Sequence, residues 1–477
     1  MYKLPGGTEV LKEIERVEFE PTPSCPYVNF RQLGQDSLGR ILQAEIQKYG
    51  CAVELGVELL SVEQSDVYAK VKILKYPGGV EPTQQDMTYK WVIGADGAKS
   101  IVRKQLGLAF LGEATEENMV VGDIRIEGLS EDRIHVWGDL SSTMTAIRPS
   151  ETPGVFTIIA GGPKFANPET ICDDEAALKE ALRQSTGNRS DIKFGEIICM
   201  NHYRPQIRMV NEFRKGRVFV TGDAGHVHSP AGGQGMNTGI QDSFNLGWKL
   251  ALVAKQLAPP SLLNTYSEER LPVVAEMLNI TTSILKKTIK NFNDEVGWNR
   301  SGNIYQLGVN YRWSSIVVDE SKPSEAGSTY DGKAEDLRAG DRVPDVPGLV
   351  PLGASSTGIA MRLFDSLSTS MHTVLIFDTQ TEGYEAFLQK VTQYPQGLIQ
   401  MILVVGKEQE QKIDVANPHP VRAFKDRDNY GSDAFLGGKN DGKFGVFIIR
   451  PDRVLGARVQ TPEALESYFQ GVFGKME

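Results

Sequence analysis

Cysteine is sparse in this 477-residue chain and nowhere concentrated: Cys25, Cys51, Cys172 and Cys199 stand far apart, with no C-x-x-C. That excludes a cysteine-rich zinc site and a thioredoxin-type redox pair, and it fits a reducing, cytoplasmic setting. Histidine is scarce too, with six in all. His226 and His228 are the one close pair and no H-E-x-x-H occurs, so no metal is expected to carry the chemistry. Positive charge is in deficit. The 51 Lys and Arg against 61 Asp and Glu leave a net charge of −10, which offers nucleic acid or anionic lipid no general attraction. No apolar run reaches the roughly 18–20 residues that span a bilayer, and residues 1–20 contain no apolar signal-peptide core.

What is present is a folded chain, 40% hydrophobic and 23% charged. A single core stops growing at roughly 250–300 residues, so about two to four domains are expected. Leu38, Ile41, Leu42 and Ile46 fall on one helical face. Gly50 should close that helix, and Ala52-Val53-Glu54-Leu55 should open a strand. An alternating strand follows from Val67 to Leu74, then a Pro77-Gly78-Gly79 turn. Trp91-Val92-Ile93-Gly94-Ala95 is a wholly apolar run of the kind that buried parallel strands show. Short alternating segments then dominate (120–126, 134–137, 155–160) and predict an antiparallel sheet. A buried strand returns at Val218-Phe219-Val220-Thr221. Residues 236–290 read as helical with a break at Pro259-Pro260, and residues 318–348 have linker composition. Beyond them, strands at 374–377, 401–405 and 446–449 and a helix from Pro462 to Phe473 form a further α/β unit.

Two motifs carry chemistry. In Val218-Phe219-Val220-Thr221-Gly222-Asp223-Ala224-Gly225-His226, a buried strand ends at a glycine and an aspartate projects where ligands of open α/β sheets bind. The chain continues through Pro230-Ala231-Gly232-Gly233-Gln234-Gly235-Met236-Asn237 into a helix. The glycines allow close backbone approach to a flat ligand. The helix start aims unpaired N–H groups and partial positive charge at it, which suits a ring that gains negative charge on reduction. The second motif, Asp96-Gly97-Ala98-Lys99-Ser100-Ile101-Val102-Arg103, follows the Trp91 run. Asp96-Gly97 makes the turn, and Arg103 can pair with Asp96 or meet a phosphate. His226 and His228 more often pack or cap in such a turn than catalyse.

These motifs, in this order, resemble those of the class A flavoprotein monooxygenases, the phenol 2-monooxygenase-like aromatic hydroxylases. The resemblance implies cofactor contacts at Gln35, Asp96, Arg103, Asp223, Pro230, Gly233, Gln234, Gly235, Met236 and Asn237, with Asp223 on the FAD ribityl chain and the Gly235 helix start at the isoalloxazine. Arg208 is similar to the arginine that precedes the family's G-R-V strand, and Leu263 to Pro272 matches its helical L-x-x-Y-x-x-E-R-x-P stretch. The implied fold is α/β. It comprises a three-layer FAD-binding domain of the glutathione reductase and p-hydroxybenzoate hydroxylase type with an inserted antiparallel substrate sheet, followed by a thioredoxin-like domain. That last domain is expected to be structural, because its redox cysteines are absent; the pieces that match it are Ala339 to Pro344, Arg362 to Asp365 and Ile449 to Asp452. The expected boundaries are 1–112 and 213–320 for the FAD-binding parts, 113–212 for the substrate domain, 321–338 for a linker and 339–477 for the last domain.

The implied reaction is hydroxylation of a phenolic ring through a flavin C4a-hydroperoxide, with FAD as cofactor, NAD(P)H and O2 as co-substrates and a homodimer as the assembly. No residue is identified as catalytic. Two departures qualify the resemblance. The family's opening strand and G-x-G-x-x-G turn are absent, and we expect the sequence as given to begin downstream of them; a chain that has lost tight FAD binding, or a non-catalytic remnant, stays open, as do epoxidation and halogenation on the same scaffold. In Ile147-Arg148-Pro149, where phenol hydroxylases place an arginine and a tyrosine near the flavin, no tyrosine follows, and whether Phe156 takes that place is open.

Overall fold

The computed structural model describes all residues except 16–17, 30, 77, 79–80, 116, 230–232, 291–304, 322–326, 333–336, 353–357, 378–383, 408–420, 438–444 and 476–477. Pro230, Ala231 and Gly232 of the glycine-rich loop therefore lie outside the described residues, as does much of the Pro77 turn.

The apolar run at Trp91 becomes strand Val92–Gly94, which pairs in parallel with Val218–Val220, Gly94 opposite Val220. Arg214–Lys215 flanks the second strand antiparallel. A Cβ at Gly94 would lie 2.6 Å from Val102, so the missing side chain lets helix Ile101–Gln105 fold back onto its own strand. This sets the two motifs side by side at the same end of a parallel pair.

Helix Gln35–Gln47 forms where periodicity puts it but buries no residue; Ile41 and Leu42 are 57% and 52% exposed. The strand expected at Ala52–Leu55 does not form. Those residues are exposed with no strand beside them, whereas Val57–Gln64 pairs with Ala69–Lys75 in a meander completed by Thr83–Tyr89. Strand formation is decided by pairing, and propensity alone does not supply a neighbour.

The alternating segments build a five-stranded antiparallel sheet in the order Lys193–Tyr203, Met119–Glu127, Val155–Gly161, Met144–Pro149, His135–Gly138. One face packs Ile124, Ile147, Phe156 and Ile158 against Leu178 and Leu182 of helix Glu175–Ser185. Phe156 is wholly buried there, so it faces away from the cleft described below and does not stand in for the absent tyrosine.

Helices Gly235–Ala254 and Asn264–Lys290 are separated by the turn Pro260–Leu263, at the predicted proline break. Beyond them, seven strands form a mixed sheet in the order Val318–Asp319, Leu455–Val459, Gly445–Ile449, His372–Phe377, Ile399–Val405, Val421–Asp426, Leu349–Pro351. Helix Pro462–Phe473 starts as expected, with the Thr461 side chain accepting from the Ala464 N–H at 3.2 Å. The stretch of linker composition is packed where it is described. Val343 and Val346 are buried, and the Glu276 carboxylate accepts from both the N–H and the hydroxyl of Thr329 at 2.7 Å. Side-chain hydrogen bonds replace the apolar groups this segment lacks. One continuous core runs from Val218–Val220 through Trp248 and Tyr266 to Val374 and Tyr468.

Candidate functional site

At the carboxyl ends of the paired strands the two motifs meet. The Thr221 N–H donates to Gly94 O at 3.0 Å. Asp96 turns back on its own helix: its carboxylate accepts from the Ser100 hydroxyl at 2.5 Å and from the N–H groups of Ile101 and Val102 at 2.7 and 3.1 Å. Arg103 is buried, donates to the carbonyls of Ala224 at 2.9 Å and Ala98 at 2.7 Å, and stacks over Phe110. It therefore makes no ion pair with Asp96; it clamps the second motif's turn to the first motif's helix.

Gly222–Ala224 is a short 3-10 turn entered with Gly222 at φ +54, a conformation that glycine adopts without steric cost. Asp242, on the second turn of helix Gly235–Ala254, holds it from behind. Its buried carboxylate accepts from Gly222 N at 3.1 Å, His226 Nε2 at 2.7 Å and Arg270 Nε at 2.7 Å. Burial raises a carboxyl pKa, but here Arg270 and His226 outweigh it and hold Asp242 below the usual range. His226 is thus a structural partner, wholly buried and edge-on to Phe213. Tyr266, from the L-x-x-Y-x-x-E-R-x-P stretch, ties the strand to the next helix by donating to Val220 O at 3.1 Å.

With the turn fixed, Asp223 is exposed on a cleft of about 2500 Å³, and its carboxylate has no hydrogen-bond partner among the described residues. The same cleft is lined by Gln35 and by Gly233, Gln234, Gly235, Met236 and Asn237, so the structure brings together seven of the sequence-predicted residues. Asp96 and Arg103 are not in its lining; Ala98 and Lys99 of that motif are. Helix Gly235–Ala254 begins without a side-chain cap, leaving its first N–H groups for a ligand. Asn237 Nδ2 holds the loop through Gly233 O at 3.0 Å, and Gln306 holds Gln234 at 2.5 Å. A Cβ on Gly235 would reach His228 Nε2 at 3.1 Å. His228 Nδ1 lies 2.5 Å from Ser229 O and so donates, and burial lowers the imidazole pKa, keeping the ring neutral at pH 7.

An open carboxylate beside an uncapped helix start fits a polyol chain carrying a flat ring that becomes anionic. The fit is to the flavin half of FAD, because the sequence has no G-x-G-x-x-G turn for the diphosphate. Sequence reasoning missed Asp242, whose only signal is that it is the one acidic residue of its helix. It also missed Asp123 and Thr157 on the cleft face of the five-stranded sheet, which their strand parity marks. Arg208 lies on strand Gln206–Val210, and its Nε is buried without a hydrogen-bond partner among the described residues.

Comparison with known proteins agrees with this geometry. Residues 7–281 match the family described as FAD binding domain. A flavin-dependent monooxygenase of Mycobacteroides abscessus is 34% identical over 404 residues, 83% of this chain and 78% of that one. Pentachlorophenol 4-monooxygenase of Sphingobium chlorophenolicum is 31% identical over 444 residues, 89% and 75% of the two chains. Among solved structures, aklavinone-11 hydroxylase with FAD and aklavinone superposes with TM-score 0.74 at 22% identity, covering 95% of this chain and 80% of the other. The flavin-dependent monooxygenase PieE with FAD and substrate gives 0.68 at 19% identity, covering 92% and 83%.

Proposed function

The chain belongs to the FAD-binding family of flavin-dependent monooxygenases, and from that premise we propose that it hydroxylates a phenol-like aromatic substrate using FAD, NAD(P)H and O2. The observation that carries the reading is Asp223, a carboxylate without a partner among the described residues, on the same cleft as the uncapped start of helix Gly235–Ala254, a cleft large enough for cofactor and substrate together. The chemistry supplied by the bound flavin is activation of O2 with electrons from NAD(P)H. The chain's residues bind, orient and exclude water. Asp223 accepts hydrogen bonds from the ribityl hydroxyls. The N–H groups of Gly235, Met236 and Asn237 face the pyrimidine edge, where the helix dipole favours negative charge. Gln35 lines the same cleft. Pro230 belongs to the same loop, and Asp96 and Arg103 act from behind by fixing the turns that bear Lys99 and Asp223.

Residues 1–112 and 213–320 form the FAD-binding domain in this reading, 113–212 the substrate domain, 321–338 the linker and 339–477 a thioredoxin-like domain of structural role. We assign a cytoplasmic setting from the unpaired cysteines, and a homodimer by analogy with the family. Among the described residues no helix is long and apolar enough to cross a membrane. The test is aerobic NAD(P)H oxidation by FAD-supplemented protein against a panel of phenols, with product mass. Stimulated oxidation with a product heavier by one oxygen atom supports the reading, and indifference to every phenol contradicts it.

A further inference from the structure

The two histidines ahead of helix Gly235–Ala254 are used differently. His226 is wholly buried and spends Nε2 on Asp242. His228 is half-buried and lines the cleft. Its Nδ1 lies 2.5 Å from Ser229 O, an atom that only accepts, so Nδ1 carries the hydrogen and Nε2 of the neutral imidazole is a bare lone pair. Nε2 has no hydrogen-bond partner among the described residues. It stands 3.1 Å from the place of a Cβ on Gly235, the first residue of the uncapped helix. The backbone that bears it is held, since the Tyr203 hydroxyl donates to His228 O at 3.3 Å. A fixed tautomer thus presents a proton acceptor where the helix start presents N–H groups and partial positive charge.

The charges around this imidazole leave it poised. Burial is the main influence and lowers its pKa; the Ser229 carbonyl and Asp223 raise it, and His226 lowers it. Tyr203, whose hydroxyl meets the same backbone, is itself kept protonated by burial, with Asp223 adding to the effect. A negative charge that arrives within about 4–6 Å raises a neighbouring pKa by about one to three, enough to carry an imidazole across pH 7. Such a charge arrives when a flavin seated on the helix start is reduced.

We propose that His228 is the proton acceptor that answers flavin reduction, taking a proton onto Nε2 as negative charge builds at the Gly235 helix start and releasing it on reoxidation. The hydride from NAD(P)H carries two electrons and one proton to the flavin. The second proton comes from water, forms the Nε2–H bond and leaves the imidazole as a cation beside the anionic ring; no electron passes to His228. The inference rests on the flavin reading of the cleft and deepens it by giving one side chain a redox-linked charge. By reciprocity, a proton on His228 makes the bound flavin easier to reduce.

The test is the midpoint potential of FAD bound to the protein, followed spectroscopically across about pH 6–8, where imidazole titrates. In wild type the slope should correspond to two protons per two electrons between the lowered pKa of the oxidised state and the raised pKa of the reduced state, and to one proton outside that window. His228→Asn keeps an amide donor for Ser229 O and has nothing to titrate, so its slope should be that of one proton throughout. His202→Asn, at another histidine of the cleft, should keep the wild-type slope. A one-proton slope in wild type, or a two-proton slope that survives His228→Asn, would overturn the proposal; in the second case the flavin itself takes the proton. Saturable FAD binding with either of these results refutes this inference and leaves the flavin reading standing. A wild-type protein that holds no FAD refutes both.

Discussion

Arg450 lies fork-to-fork on Glu269, a residue 181 positions earlier, with its two terminal nitrogens 2.7 and 2.9 Å from the two carboxylate oxygens and both side chains wholly buried. Lys249 and Asn245 add bonds to the same carboxylate at 2.7 and 2.6 Å, and Asp452 pairs with Arg450 at 2.5 Å. The next residue, Arg270, grips Asp242 behind the Asp223 turn. Neighbouring residues of one helix thus anchor the C-terminal sheet and the ligand-facing turn.

Arg450→Met should destabilise the protein by about 3–5 kcal/mol, because a buried carboxylate loses its main counter-charge. Adding Glu269→Gln should return part of that. Denaturant unfolding of the two single variants and the double variant measures it; additive losses would show that the pair is not coupled.

Arg103→Met separates scaffold from contact. It leaves the Ala224 and Ala98 carbonyls without their donor, at about 1–3 kcal/mol for a buried acceptor. Lower unfolding stability together with weaker FAD binding is expected. Intact stability with lost FAD affinity would instead place the guanidinium on the nucleotide.

His372 is packed edge-on by Trp248 and Phe473, and burial lowers its pKa to about 3, with Arg450 adding to the shift. The unfolded chain therefore binds a proton that the folded chain refuses between the ordinary 6.5 and about 3. That part of the stability is complete above pH 6.5 and lost as pH falls through this window, at about 1.4 kcal/mol per pH unit. His372→Phe should flatten the acid limb of a stability–pH curve. Parallel curves for the two proteins would show that the imidazole is not held neutral.

Much of this was legible before the structure. Val92–Gly94, Val218–Val220 and Pro462–Phe473 were readable because an unbroken apolar run, or a Thr-Pro start ahead of an amphipathic helix, allows few alternatives. Asp223 and the Gly235 helix start were readable because a glycine cluster marks backbone that other residues cannot adopt, as the positive φ of Gly222 and Gly233 bears out. Ala52–Leu55 failed because a strand needs a partner that propensity cannot announce. The direction of Asp96 and Arg103 was hidden because a motif gives spacing and not which way a side chain turns. The Glu269–Arg450 pair was invisible, since neither residue carries a local sign of a partner so distant in sequence.

The central claim, that Asp223 and the opening of helix Gly235–Ala254 hold a flavin, is tested most directly by titrating FAD with the protein and following flavin fluorescence. Wild type should quench it saturably. Asp223→Ala should bind about ten- to a hundredfold more weakly, as expected for loss of charge-assisted hydrogen bonds, while its thermal unfolding stays that of wild type because the carboxylate has no partner among the described residues. No saturable quenching by wild type, or equal affinity in the variant, would contradict the account.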